Sequence, residues 1–344
     1  MRDPDQIPPV VLPQQTAMLR MIQGFWLARA LSVAVKLGIA DLLKEGPKSS
    51  EELAKATKSH PPSLYRVLRA LAAEGVFSED DKGRFSATPL GSALQTGMPG
   101  SMLPFVLEQL DDEHYGAWGD LLHSVMTSET AFDHHFSMDL WQYRALHPED
   151  AKTFDEAMAN ITEVAVGPIL GAYDFSPFDT MIDIGGGDGS LLAAILGKHP
   201  GLKGVLFDMP RVTPKAERRI EAAGLAKRCE IVGGDFFKSV PAGGDAHILK
   251  AIIHDWDDEQ ATMILRNCLR AMAPNGRLLL IEAVIPPGNS PFFHKFMDLN
   301  MMVMAGGRER SESEYRALLK AAGLKLARIV PTSSELSVIE AVRG

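Results

Sequence analysis

The sequence predicts an α/β fold: a doubly wound, mainly parallel sheet that follows an amino-terminal, mainly α-helical segment in winged-helix order. Three observations carry this. From Asp179 onward, short apolar runs at 180–184, 204–207, 229–232, 247–253, 277–281, 325–330 and 336–342 alternate with helical patterns, the texture of strands covered on both faces. The first run empties into a glycine turn and then an apolar helix. Ahead of all of them, two helical patterns precede a candidate hairpin.

Taken in order, a proline-bearing start at 7–13 leads to Met18, Met21, Ile22, Phe25 and Trp26 at helical spacing, a broad apolar stripe that has to be buried against something. Ser49, Ser50 and Glu52 form a helix start for 51–56. After Pro61 and Pro62, the residues Leu64, Val67, Leu68 and Leu71 make a second stripe that Gly75 stops. Val76-Phe77 and Arg84-Phe85-Ser86 flank a polar turn and pair as a hairpin. Residues 101–172 carry helical patterns through Trp118, Leu121, Leu122 and Val125, then Phe154, Met158 and Ile161, without a clean strand. The expected domains are thus 1–100, 101–172 as connecting helices, and 173–344 as the sheet domain.

Composition excludes several function classes. At 344 residues and 46% hydrophobic content the chain supports two or more cores. Its formal net charge of −9 repels polyanions and argues against nucleic acid as the partner. Residues 1–6 are polar and no long uncharged apolar run occurs, so neither a leader nor a membrane span is expected and the protein is assigned to the cytoplasm. Cys229 and Cys268 stand far apart, which gives neither a disulfide framework nor a zinc spacing.

Chemistry gathers at the strand ends. Gly185-x-Gly187-x-Gly189 lets backbone approach a ligand, and the helix that follows offers free N–H groups to a carboxylate. Nineteen residues after Gly189, Asp208 closes the next run, where its carboxylate can accept from both hydroxyls of a ribose. The glycine spacing is one residue shorter than a dinucleotide fingerprint, with Ser190 where the third glycine would stand; this favours a methyl donor over a nicotinamide cofactor. The third run ends in Asp235 and Phe236, suited to an adenine amino group and ring. The fourth carries Lys250 and delivers His254 to the carboxyl edge just before a helix, a place for a general base. The acids from Asp255 to Glu259 suit the first turn of that helix and call for no metal.

Together the motifs DIGGGDG, FDMP, GGDFF, LKAIIHDWDDE, NGRLLLIEAVIP and GGRERSESEY, in this order across nearly the whole chain, resemble the plant-type O-methyltransferase family of caffeate, flavonoid, hydroxyindole and bacterial natural-product enzymes. The resemblance implies a Rossmann-like methyltransferase domain, a winged-helix dimerisation domain that makes a homodimer, and S-adenosylmethionine as donor. It implies that Asp208 holds the ribose, Asp235 and Phe236 the adenine, and Lys250 a further donor contact. Gly185 and Gly187 would pass beneath the methionine portion. His254 would be the base, oriented by Glu282 and Glu309. An aromatic acceptor would lie against Phe154, Met158, Trp256 and Met301.

The implied reaction is an in-line displacement in which an acceptor hydroxyl attacks a sulfonium methyl group while a base removes its proton. Three rivals share some of these features. A nicotinamide oxidoreductase has the same sheet and acidic second strand. A DNA-binding regulator has the winged helix, yet Glu74, Glu79, Asp80 and Asp81 oppose phosphates there. A same-fold enzyme acting on nitrogen would not need the base.

Overall fold

The computed structural model describes residues 13–98 and 100–344. The polar residues 1–6 and the proline-bearing start, Pro13 excepted, lie outside the described residues. The chain divides into two compact units at Asp111/Asp112, so the 101–172 segment contributes its first residues to one unit and the rest to the other.

The first unit begins with the helix Gln14–Lys36. By length and composition alone this helix is long and apolar enough to cross a membrane, although Arg20 and Arg29 interrupt its apolar run. Among the described residues its stripe is not buried: Met21 is 75% exposed and Trp26 64%. Ser49 caps the helix Ser50–Thr57 in a capping box with Glu52, as the sequence pattern asks. In the helix Pro61–Ala73, Leu64, Leu68 and Leu71 face the core. The hairpin is present as β2 (Phe77–Glu79) and β3 (Arg84–Ala87), joined by β1 (Lys48–Ser49) in the antiparallel order β1-β3-β2. Two residues are too few for β1 to show any alternation in the sequence.

The second unit opens with short helices and the long helix Pro148–Ala172. A seven-stranded sheet follows, made of β4 (Thr180–Ile184), β5 (Lys203–Asp208), β6 (Cys229–Gly233), β7 (Ala246–Lys250), β8 (Arg277–Ala283), β9 (Leu324–Pro331) and β10 (Leu336–Arg343). The order is β6-β5-β4-β7-β8-β10-β9. β4 to β8 pair in parallel, whereas β10 runs antiparallel to both β8 and β9. Met181 packs to one side of the sheet with Leu192 and Ile169, and Ile182 to the other with Leu265 and Leu319, so the strand is apolar at consecutive positions. Strand order reverses between β4 and β7, and a cleft at that reversal is where open α/β sheets take ligands. Both cysteines are free and buried.

Candidate active site

The glycine turn after β4 runs through the left-handed region, with φ of 71° at Gly185 and 61° at Gly187. A side chain at Gly185 would start 2.5 Å from the Ile252 Cδ1 atom, while the space beside Gly187 is open. Backbone is therefore bare at Gly187, on the sheet edge where strand order reverses. The helix Ser190–Lys198 opens directly behind it, with no side chain capping Gly189. Asp188 occupies one of its amides, accepting from the Ser190 N–H at 3.0 Å, and is held by Arg219 at 2.6 Å.

Asp208, at the end of β5, turns back on this loop. Its Oδ2 accepts from the Gly187 N–H at 2.8 Å and its Oδ1 from the Met209 N–H at 2.6 Å. Burial raises its pKa in spite of those two donors. Asp183, within β4, is pushed up to about 7 by burial and by the charge of Asp208. After β6, Asp235 accepts from the Phe237 N–H at 2.9 Å, and Lys238 lies 3.3 Å from its other oxygen. The half-buried Phe236 meets Trp256 edge-on, with ring centroids 6.0 Å apart. Burial pulls the Lys250 ammonium below its usual range, opposed by Glu282 and Asp183. These groups form a bare-backbone cradle with a carboxylate at its lip and an aromatic beyond, which fits an adenosyl sulfonium bearing an amino-acid tail.

His254 does not continue a strand, as the run 247–253 suggested. β7 stops at Lys250, Ala251 turns the chain with φ 51°, and His254 sits in the 3-10 turn Ile253–Asp255. Its Nδ1 lies 3.0 Å from Glu309 Oε1 but 3.6 Å from Glu282 Oε2. The two glutamates therefore do different work. Glu282 Oε1 accepts from the Ile252 and Ile253 N–H groups at 3.1 and 2.8 Å, so this residue of β8 holds the turn as well as facing the ring. Burial alone would lower the pKa of His254; the charges of Glu282 and Glu309 and the bond to Glu309 overcome it and raise it to about 10. The His254, Glu282 and Glu309 donor atoms lie within 4.8 Å of one another, close enough for a cation, but Nδ1 is already spent on Glu309.

Sequence reasoning missed what fixes this turn. Arg310, fully buried, donates from Nη1 to the Ile253 carbonyl at 3.0 Å and from Nη2 to the Trp256 carbonyl at 2.9 Å, gripping both flanks of His254. Asp258 supplies its counter-charge at 2.8 Å. The Arg308 N–H donates to the His254 carbonyl at 2.8 Å, and a Cβ at Gly307 would lie 2.0 Å from that oxygen. Nothing in the arginine-rich string itself distinguishes a buried clamp from a solvated charge.

An aromatic cluster adjoins the turn. Trp141 stacks on Trp256 with centroids 5.7 Å apart, and Phe154 meets Trp141 edge-on at 6.0 Å. The Nε1 atoms of both tryptophans are buried without a partner. Trp141 carried no motif and was not foreseen. Met158 is half-buried on the long helix, and Met301 is 8% exposed. Met304 is enclosed in a small core with Phe132 and Leu140.

Cradle, turn and clamp define a class. The O-methyltransferase domain matches residues 118–325 and the O-methyltransferase dimerisation domain residues 19–97; the chain belongs to this family of S-adenosylmethionine-dependent methyltransferases. Within it, the chain is 48% identical over 330 residues to phenazine O-methyltransferase PhzM of Lysobacter antibioticus, covering 96% of each. The crystal structure of LaPhzM superposes with a TM-score of 0.93 at 47% identity, over 97% of this chain and all of that one. NcsB1 of neocarzinostatin biosynthesis, solved with S-adenosylmethionine and 2-hydroxy-5-methyl naphthoic acid, gives a TM-score of 0.80 at 33% identity, over 92% and 96%. A relative 34% identical over 339 residues, 96% of this chain and 97% of its own, is 8-amino-8-demethylriboflavin N,N-dimethyltransferase of Streptomyces davaonensis.

Proposed function

We propose that this chain methylates a hydroxyl on a planar aromatic acceptor of phenazine or naphthoate type, with His254 as the general base. The observation that carries the reading is the His254–Glu309 hydrogen bond in a turn that Glu282 holds from beneath. When bound, the donor supplies an electrophilic methyl on a sulfonium. Asp208 would accept from its ribose hydroxyls, Asp235 and Phe236 would receive its base, and the Gly185–Gly187 backbone would hold its amino-acid tail. Lys250 contacts it from β7. Phe154, Met158, Trp256 and Met301 shape the acceptor's place, joined by Trp141.

A phenol, with a pKa of about 10, keeps its proton at neutral pH and attacks poorly until a base removes it. Because Nδ1 donates to Glu309, the neutral His254 ring carries its lone pair on Nε2 and receives the acceptor's proton there. Glu309 then stabilises the imidazolium. The same carboxylates favour the protonated ring before any acceptor arrives, a preference that a cation held in the cradle would oppose by like-charge repulsion.

The relative that methylates an amine supports a second reading, since a neutral aromatic amine attacks without prior deprotonation. Labelled-methyl transfer to matched hydroxylated and amino-substituted heteroaromatics, with wild type and His254→Ala, separates the two. Base catalysis predicts that phenols are methylated and that the variant loses roughly a hundredfold or more in turnover. Activity on amines alone, or an undiminished variant, overturns the proposal.

A further inference from the structure

We propose that His294 is a positioning residue of this site: by sharing the Glu309 carboxylate with His254, it weakens that carboxylate's hold on the His254 proton. The inference rests on the reading of His254 as the base. His294 Nδ1 lies 3.0 Å from Glu309 Oε1, the same oxygen that lies 3.0 Å from His254 Nδ1. The two ring nitrogens are thus within two hydrogen-bond lengths of each other. Burial would raise the pKa of Glu309, but the two histidines bring it down to about 2, so it is ionised and only accepts. Each ring must then present Nδ1–H to it and, when neutral, keep a lone pair on Nε2.

His294 is built into this position. It is the first residue of the helix His294–Met304, and Glu335 receives the N–H groups of Phe293 and His294 at 3.2 and 3.3 Å. Phe292 and Phe293 rings lie 5.7 and 5.6 Å from its own, and the side chain is 15% exposed. Glu309 is fixed from its backbone, whose N–H donates to Asp298 Oδ1 at 2.8 Å.

The charged neighbours leave Glu309 as the adjustable one. His254 faces Asp255 from its own turn at 3.5 Å, Glu282 from β8 and Glu309 from the clamp loop, while Arg144 acts on Asp255. Glu282 Oε1 is committed to two backbone amides while its Oε2 faces His254 at 3.6 Å as a fixed charge without a hydrogen bond to it, and Arg310 is spent on carbonyls and Asp258. The buried Tyr315 hydroxyl feels Glu282 and Glu309 and stays protonated. Lys295, beside His294, gives its ammonium to the Gly288 and Ser290 carbonyls. A second donor on one carboxylate oxygen divides the electron density available to the first. An undivided Glu309 would hold the His254 proton harder.

The test is the pH dependence of single-turnover methyl transfer in wild type, His294→Phe, His294→Gln and His254→Ala, with S-adenosylhomocysteine calorimetry on each. Because the base must be unprotonated, the rate rises with pH along an acid limb; His294→Phe should move that limb up by about half a pH unit or more while keeping the plateau within about twofold. His294→Gln, which still offers Glu309 an N–H, should bring the limb back toward wild type. An unmoved limb, or a loss by the same factor at every pH, overturns the role of His294. A limb that survives His254→Ala overturns the base reading instead, and the inference with it. If His294→Phe fails to bind S-adenosylhomocysteine, low-field proton NMR of wild type decides. Two hydrogen-bonded imidazole protons lost together in Glu309→Gln support sharing, and a single one overturns it.

Discussion

At the scale of the residue, several polar atoms of the site are already engaged by the protein itself. Asp208 is the clearest case, because one oxygen already accepts from Gly187 in the turn it faces and the other from Met209, the next residue. A carboxylate keeps lone pairs to spare, so ribose hydroxyls add to these bonds without displacing them. Replacing Asp208 by Ala removes a charged acceptor, a loss of about 1.5–3 kcal/mol, and S-adenosylmethionine affinity should fall roughly 10- to 100-fold. Titration calorimetry checks it, and equal affinities would refute the assignment. The substitution should also loosen the loop, since Gly187 loses the acceptor of its N–H.

At the scale of the element, the decisive contact is between two loops. The Gly306–Arg310 segment lies so close under the His254 turn that Gly307 has no room for a methyl group. Ala at 307 must push the His254 carbonyl aside and move the imidazole with it. A displacement of about 1 Å at a reacting group can cost a hundredfold, so Gly307→Ala should lose turnover on that order while still binding S-adenosylhomocysteine. Steady-state kinetics with wild-type constants would exclude this. The same loops show what a sequence exposes and what it conceals. The parallel strands of the sheet, the capping box at Ser49 and the turn glycines were legible because burial on both faces, cap chemistry and positive φ each leave a local signature. The end of β7 was overrun by three residues because Ala251, at φ 51°, breaks the strand with a residue type that signals nothing. Trp141, His294 and Arg310 were missed because their roles are set by partners distant in the chain, which periodicity does not record.

At the scale of the whole molecule, the described residues leave a large apolar face uncovered on the first helix. Met18, Leu19, Met21, Ile22 and Trp26 on the helix Gln14–Lys36 are each more than half exposed, in the segment matched by the dimerisation domain. A second copy of the chain is the occupant this face calls for, because isologous pairing covers the same stripe on both partners at once. Light scattering should give twice the monomer mass for wild type and a smaller, or aggregated, species for the Met21→Glu, Trp26→Glu double variant. A variant that still dimerises would place the interface elsewhere. The four tryptophans are distributed unevenly with respect to all this: Trp26 lies on that exposed face, Trp118 is tied to Asn300 at 2.8 Å, and Trp141 and Trp256 form the stacked pair beside the His254 turn. Two indoles at that separation couple their excited states. The protein thus carries a chromophore of its own at the place proposed above for a flat acceptor, and on that proposal the arrival of such a molecule would be written in its near-ultraviolet dichroism before any methyl group moves.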